Sequence, residues 1–411
     1  MTMFQPSDVA QAKEVIARAA AEGQSLEIAA GGSKRALGRP PRTDHTLDVS
    51  PLAGIVEYEP AELILTARAA TPMAEIEAQL EARRQMLAFE PPDWRGLLGG
   101  SGEPTLGGVI ACNIAGPRRV RAGSPRDYFL GFAAINGWGD GWKAGGKVVK
   151  NVTGYDMCKL QAGAYGTLSV LTEVTLKVMP KPETACTVLL PALADEIAIP
   201  VLSQALNTPY EVSAVAHLPA SVARRSGVAA VAEGLGAVTA LRLEGPLPSV
   251  AYRAEAIEAL LGRGLRLEEV ETAQLWAEIG AVRPLLEPGA RCVWRLCPTP
   301  SAAPAVMHVV RARLASAEAF YDWGGGLVWL SVDGGEAGPD GGAAMVRAAV
   351  RQAGGHAAGG HATLIVAPDA MRAAVPVFEP VPGALASLSA RIKRGFDPRG
   401  ILNPGRMQEG Q

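Results

Sequence analysis

The stretch GGKVVKNVTGYDMCKLQAGAYGTLSVLTE, residues 145–173, decides the fold. A β-branched run, VVKNVT (148–153), leads into the turn Gly154-Tyr155-Asp156, and Gly163 and Gly166 lead into a second apolar run, LSVLTEVTLKV (168–178). Both runs carry strand propensity. Glycine at the corners removes the side chain that would keep the backbone away from a flat or anionic ligand. Working outward, two more glycine-rich corners stand upstream, AAGGS (29–33) and GGSGEPTLGG (99–108). Three such corners in the first half of one chain imply a large, extended cofactor, and FAD is the best fit.

The composition narrows the class. A chain of 411 residues suggests two or three domains with a large core. With 48% hydrophobic and 19% charged residues it is globular rather than disordered. Its 39 basic and 41 acidic residues nearly cancel, so there is no electrostatic case for nucleic acid as the main partner. The five cysteines (Cys112, Cys158, Cys186, Cys292, Cys297) form no CxxC pair, which argues against a zinc ribbon or a bound iron–sulfur run and fits a reducing, cytoplasmic setting. The first residues lack the pattern of a signal peptide, and no uncharged apolar run is long enough to span a membrane.

Periodicity predicts a helix over 7–22 capped by Ser7 or Asp8, strands at 26–30, 46–50 and 63–70, and a helix opened by Thr71-Pro72. A Gly/Pro-rich stretch follows from Pro91 to Arg126, of a length that points to function. The prolines at 180 and 182 mark a domain boundary. Beyond it, strand and helix patterns alternate: strands 237–245, 292–298 and 327–332, helices 249–263 and 302–315. They read as an α+β domain with an antiparallel sheet. A final helix, 384–396, precedes DPRGILNPGRM (397–407). No internal repeat is visible.

Several residues carry chemistry. In AAGGSKRALG, backbone N–H groups at Gly31, Gly32 and Ser33 can form a pyrophosphate nest with charge from Lys34 or Arg35; a plain turn is the alternative. Gly107-Gly108 opens VIACNIAG as a helix start, with Thr105 and Asn113 within reach of flavin or phosphate. Gly100-Ser101-Gly102 begins like a dinucleotide fingerprint, but Pro104 and Thr105 break it. GWKAGGKV (141–148) fails as a phosphate loop because Val148 replaces the magnesium-binding hydroxyl residue. The histidines (His45, His217, His308, His356, His361) show no metal-binding spacing.

The series GGS, TLGGVIACNIAGPRR (105–119), GSPRDYFLG (123–131), GGKVVKNVTGYDMCKL (145–160) and FDPRGILNPGRM (396–407) resembles the FAD-binding oxidoreductases of the vanillyl-alcohol oxidase superfamily, with its PCMH-type FAD-binding domain. EPPDW (90–94), GPRR (116–119), DWGGG (322–326) and GGHATL (359–364) narrow the resemblance to the E-subunit family of bacterial glycolate oxidases. It implies an FAD-binding domain of two α+β subdomains over 1–182, an antiparallel-sheet cap over 183–380, and a C-terminal segment, 381–411, returning to the flavin. It places Gly31, Gly32, Ser33 and Lys34 at the FAD diphosphate, Thr105, Gly107, Gly108, Asn113 and Gly116 at diphosphate and flavin, Gly166, Thr167 and Val170 on the adenosine side, and Asn403 near the flavin. Covalent attachment in the superfamily uses a His in the first loop or a Cys in the second. Residues 31–39 hold no His and Glu103 stands at the Cys position, so FAD is expected to be non-covalent.

The resemblance also implies oxidation of glycolate, a small 2-hydroxy acid, to glyoxylate, in a complex with a D-type flavin subunit and an F-type iron–sulfur subunit. That complex would be cytoplasmic or held peripherally at the inner membrane through its partners. The His/His/Glu metal cluster of related D-2-hydroxy acid dehydrogenases has no counterpart in the sequence. For the base and the carboxylate-binding cation that such chemistry needs, Arg295 and His361 are the candidates. Two alternatives stay open, an FAD-holding relay subunit without substrate chemistry and a stand-alone flavin oxidase of another hydroxy acid.

Overall fold

A computed structural model describes residues 2–147, 154–233, 236–287, 289–353 and 359–410; the VVKNVT run and His356 lie outside the described residues. The first helix runs Val9–Glu22, with the Asp8 carboxylate accepting the Gln11 N–H and Gly23 closing it in the left-handed conformation. Its apolar face, Ala12, Ile16 and Ala19, packs over a three-stranded parallel sheet of Thr2–Phe4, His45–Asp48 and Leu26–Ala29. The C-terminal tail joins this sheet: the Leu26 N–H donates to Ile401 O at 2.7 Å, and the Asn403 N–H to Leu26 O at 2.9 Å.

The second sheet has five antiparallel strands in the order Ile55–Glu59, Ile64–Arg68, Ser169–Lys177, Phe129–Asn136, Gly141–Gly145. Its central strand, SVLTEVTLK, is buried at nearly every position, as expected for a strand covered on both faces. The helix Met73–Glu81 packs Met73, Ile76 and Leu80 against it. The Gly/Pro-rich stretch is not an open loop. It holds the short helices Arg95–Leu98, Leu106–Cys112, Arg119–Ala122 and Pro125–Tyr128.

The third sheet has eight antiparallel strands, in the order Leu265–Leu267, Thr184–Pro191, Val238–Gly245, Ala214–Leu218, Glu318–Asp322, Leu327–Asp333, Arg291–Cys297, His361–Val366. Chain order and sheet order together show one strand–helix–strand–strand–helix–strand unit used twice, the two copies meeting through Ala214–Leu218 and Glu318–Asp322. The repeat lies in the topology and not in the residues, which is why the sequence does not show it.

Helices Asp195–Leu206, Leu247–Leu261, Ala303–Arg311 and Ala343–Ala353 cover one face of this sheet over a core containing Trp294, Leu296, Tyr321 and Leu330. The other face, carrying Val293, Phe320, Trp329 and Ile365, packs against Leu37, Trp94, Leu97 and Ile114 of the N-terminal part. Glu90 accepts two hydrogen bonds from Arg242, at 2.7 and 2.9 Å, and Arg118 pairs with Glu244 at 2.7 Å, so charged contacts fix the two parts together. Among the described residues no helix is long and apolar enough to cross a membrane.

Candidate functional site

The three-stranded and five-stranded sheets, the helix Leu106–Cys112 and the C-terminal tail line a cleft open to solvent. Its wall brings together Gly31, Gly32, Ser33, Lys34, Thr105, Gly107, Gly108, Gly166, Val170 and Asn403, all named from sequence. The first and second glycine corners touch each other here. A Cβ on Gly31 would lie 1.9 Å from Glu103 O, and one on Gly102 would lie 1.8 Å from Gly31 O. Only glycine allows two backbones this close, and their contact makes one continuous rim. Thr105 caps the helix, its hydroxyl accepting the Gly108 N–H at 3.3 Å. Asn403, itself at φ 44°, ties the third corner to the first sheet: it accepts the Ile28 N–H at 2.9 Å and donates to Tyr165 O at 2.8 Å.

Other sequence-named residues stand elsewhere. Asn113 caps the helix end in the left-handed conformation and accepts the Arg126 N–H at 3.1 Å. Thr167 lies behind the wall, where its carbonyl accepts from Lys393 Nζ at 2.6 Å. Gly116 serves a close approach of a different kind, since a Cβ there would sit 2.3 Å from Glu90 O. These three are placed by the structure outside the cleft lining.

The sequence reading missed Gln161, Tyr165, Cys112 and Arg406, which also line the cleft. Arg406 stands three residues after Asn403 in the ILNPGRM motif, the one signal that could have found it. Its guanidinium donates to Leu37 O at 3.0 Å and to Glu27 at 3.3 Å. Its Nε, and Gln161 Nε2, are buried with no partner among the described residues. Buried donors of this kind point to an acceptor supplied by a ligand. Burial pulls the Lys34 ammonium below its ordinary range, which a nearby anion would reverse. Two unpaired donors, an under-neutralised lysine and a glycine rim fit a long cofactor carrying a diphosphate. Cys112, the cysteine among the lining residues, is a poor nucleophile because burial pushes its thiol up to about 11.

Arg295 and His361 lie on adjacent strands of the large sheet, Cys297 facing His361 and Arg295 facing Thr363 in the register. Strand alternation turns Arg295 to the same side as Val293, toward the N-terminal part. There its guanidinium carbon is 5.2 Å from the Trp323 ring centroid. Burial and the Cys112 thiol push the Tyr165 phenol up against the pull of Arg295 and Arg406, so Arg295 acts electrostatically on a residue of the cleft wall. A hydrogen bond with Cys297 raises the His361 pKa above its ordinary value, favouring imidazolium. Burial pushes the Cys297 thiol up, but Arg295, His361 and Arg119 together bring it below its ordinary value. Among the described residues no three His, Cys, Asp or Glu side chains are grouped to hold a metal.

The comparisons agree with this geometry. Residues 2–145 match a family described as an FAD binding domain. The chain is 36% identical over 408 residues to glycolate oxidase subunit GlcE of Escherichia coli (strain K12), spanning 98% of this chain and 99% of that one. It is 32% identical over 205 residues to glycolate oxidase subunit GlcD of Bacillus subtilis (strain 168), over 47% of this chain and 42% of that one. Among solved structures, p-cresol methylhydroxylase with substrate bound superimposes with a TM-score of 0.68 at 13% identity, covering 99% of this chain and 88% of that one, a likeness of fold. The chain is an FAD-binding protein and belongs to the family of the glycolate oxidase E subunits.

Proposed function

We propose that this chain is the FAD-binding subunit of a glycolate oxidase, oxidising glycolate to glyoxylate and passing the electrons to an iron–sulfur partner. The observation that carries the reading is Arg295, a half-buried guanidinium without a carboxylate partner among the described residues, whose charge reaches Tyr165 of the cleft wall. Bound FAD supplies the two-electron acceptor for the C–H bond next to the carboxylate. Gly31, Gly102 and Ser33 orient the diphosphate end, and Asn403 and Tyr165 fix the wall at the tail. Arg295 holds the substrate carboxylate, which is where a cation is needed to orient a 2-hydroxy acid. His361, when neutral, takes the hydroxyl proton, and Cys297 positions its ring. The five cysteines are all free and scattered through the fold, which supports an electron relay on a separate subunit. We take 1–182 with 381–411 as the flavin-holding unit and 183–380 as the cap.

A second reading, an FAD-holding relay subunit, draws on the mutual satisfaction of His361 and Cys297, which leaves neither committed to substrate. The test uses the complex assembled with its D-type and F-type partners. Glycolate added without oxygen should reduce the iron–sulfur clusters, read by electron paramagnetic resonance, and Arg295→Ala in this chain should slow that reduction without dissociating the complex. Cluster reduction at the wild-type rate in Arg295→Ala would favour the relay reading.

A further inference from the structure

Two arginines and one indole meet where the N-terminal part touches the large sheet. Arg119 comes from the GPRR turn and Arg295 from the strand Arg291–Cys297. Their guanidinium carbons lie 4.9 and 5.2 Å from the centroid of the Trp323 ring. Like charges gathered on one ring repel, and stacking on the indole offsets that only in part. Burial and the charge of Arg295 both pull the Arg119 pKa down.

The carboxylates nearby are engaged elsewhere. Asp127 accepts from the backbone N–H and hydroxyl of Ser124. Asp322 accepts the Trp323 N–H at 2.7 Å, and Glu379 pairs with Arg347 and Arg351. Among the described residues neither Arg119 nor Arg295 has a carboxylate within 4.0 Å. Trp323 is itself held at φ 51°, a conformation that a bulky residue adopts only under constraint. The Asp322 carboxylate fixes its backbone, and its indole N–H donates to Gly116 O at 3.1 Å. An indole held by its backbone and its N–H thus keeps together two guanidiniums that no carboxylate neutralises, the Cys297 thiol being the acidic group that faces both, an arrangement that an anion would complete.

We propose that Arg119 and Arg295 together bind one substrate carboxylate, one guanidinium to each oxygen, with Trp323 setting their spacing. Arg119 is thereby a second carboxylate-binding residue, supplied by the flavin-holding unit, and the substrate joins that unit to the cap. This deepens the reading of a 2-hydroxy acid substrate and rests on it. The arrangement selects a free carboxylate over an amide or an aldehyde.

The test titrates oxalate, a two-carbon carboxylate with no C–H bond to oxidise, into the FAD-loaded full chain by calorimetry. Wild type, Arg119→Ala, Arg119→Lys and Arg295→Ala are compared, with the flavin spectrum checking that each variant folds and holds FAD. Arg119→Ala and Arg295→Ala should each weaken oxalate about 10- to 100-fold, as loss of a charge-assisted hydrogen bond does. Arg119→Lys should recover part of the loss because a cation remains. Oxalate binding to Arg119→Ala within about twofold of wild type, or no oxalate binding to the wild type, overturns the proposal. Binding that depends on both arginines in a chain whose flavin glycolate cannot reduce would uphold this site and refute the oxidation reading instead.

Discussion

Replacing Asn403 tests how the tail holds the cleft. The side chain is 3% exposed and links the first sheet to the third glycine corner through two hydrogen bonds. Asn403→Ala leaves the Ile28 N–H and the Tyr165 carbonyl without partners, at about 1–2 kcal/mol each for groups beside a cleft. Alanine at φ 44° adds about 1 kcal/mol, since asparagine tolerates the left-handed region better. The sum is a loss of about 3–5 kcal/mol in the transition that releases flavin. Asn403→Gly removes the backbone strain and leaves the two orphaned groups, so it should be milder by about 1 kcal/mol. Urea unfolding at fixed FAD, followed by flavin release and circular dichroism, measures both variants, and calorimetry gives the FAD affinity of each. An alanine variant within 1 kcal/mol of wild type, with unchanged FAD affinity, would show that Asn403 does not hold the corner.

Three further outcomes follow from the geometry. In Gly102→Ala the new Cβ would meet Gly31 O at 1.8 Å, so the rim must open and FAD affinity should fall at least about 100-fold, whereas Gly146→Ala, with nothing within 4 Å, should bind FAD normally. Equal affinities in a calorimetric titration would remove the rim from the site. Burial raises the Asp322 pKa to about 7, so its contribution to stability is full below about pH 4, the ordinary carboxylate range, and is lost as pH rises through 7. Asp322→Asn should flatten the decline in urea midpoint between pH 5 and pH 8, and matching slopes in both proteins would contradict that cause. The thiol lining the cleft, Cys112, is held protonated by burial and the first loop has no histidine, so acid precipitation should leave FAD in the supernatant; a yellow pellet would mean a covalent bond.

Local pattern made much of this fold legible. Asp8 announces the first helix, Pro72 the second, and alternating apolar residues in CVWRLCP and LVWLSV reveal strands of the large sheet, because short-range chemistry decides those elements. The glycine corners pointed to the cleft because close backbone approach has no other residue solution. What stayed hidden depends on partners far away in the chain. Gly116 looks like another ligand-facing glycine until Glu90 O is seen against it. Arg119 is one basic residue of several until Trp323 arrives from the large sheet. The four short helices between 95 and 128 are interrupted by glycine and proline, and contacts with distant elements, such as Trp94 Nε1 donating at 2.9 Å to Gly280 O at the end of the helix Glu269–Gly280, hold them in place of length. Gln161 has no motif at all; it faces the cleft because Ser169 fixes its carbonyl end at 2.9 Å.

Substrate oxidation by this chain is tested most directly by the visible spectrum of the purified full chain before and after glycolate is added without oxygen. An oxidised flavin spectrum that glycolate bleaches is the expected result. A flavin spectrum that glycolate leaves unchanged would contradict substrate oxidation by this chain and assign that chemistry to a partner subunit.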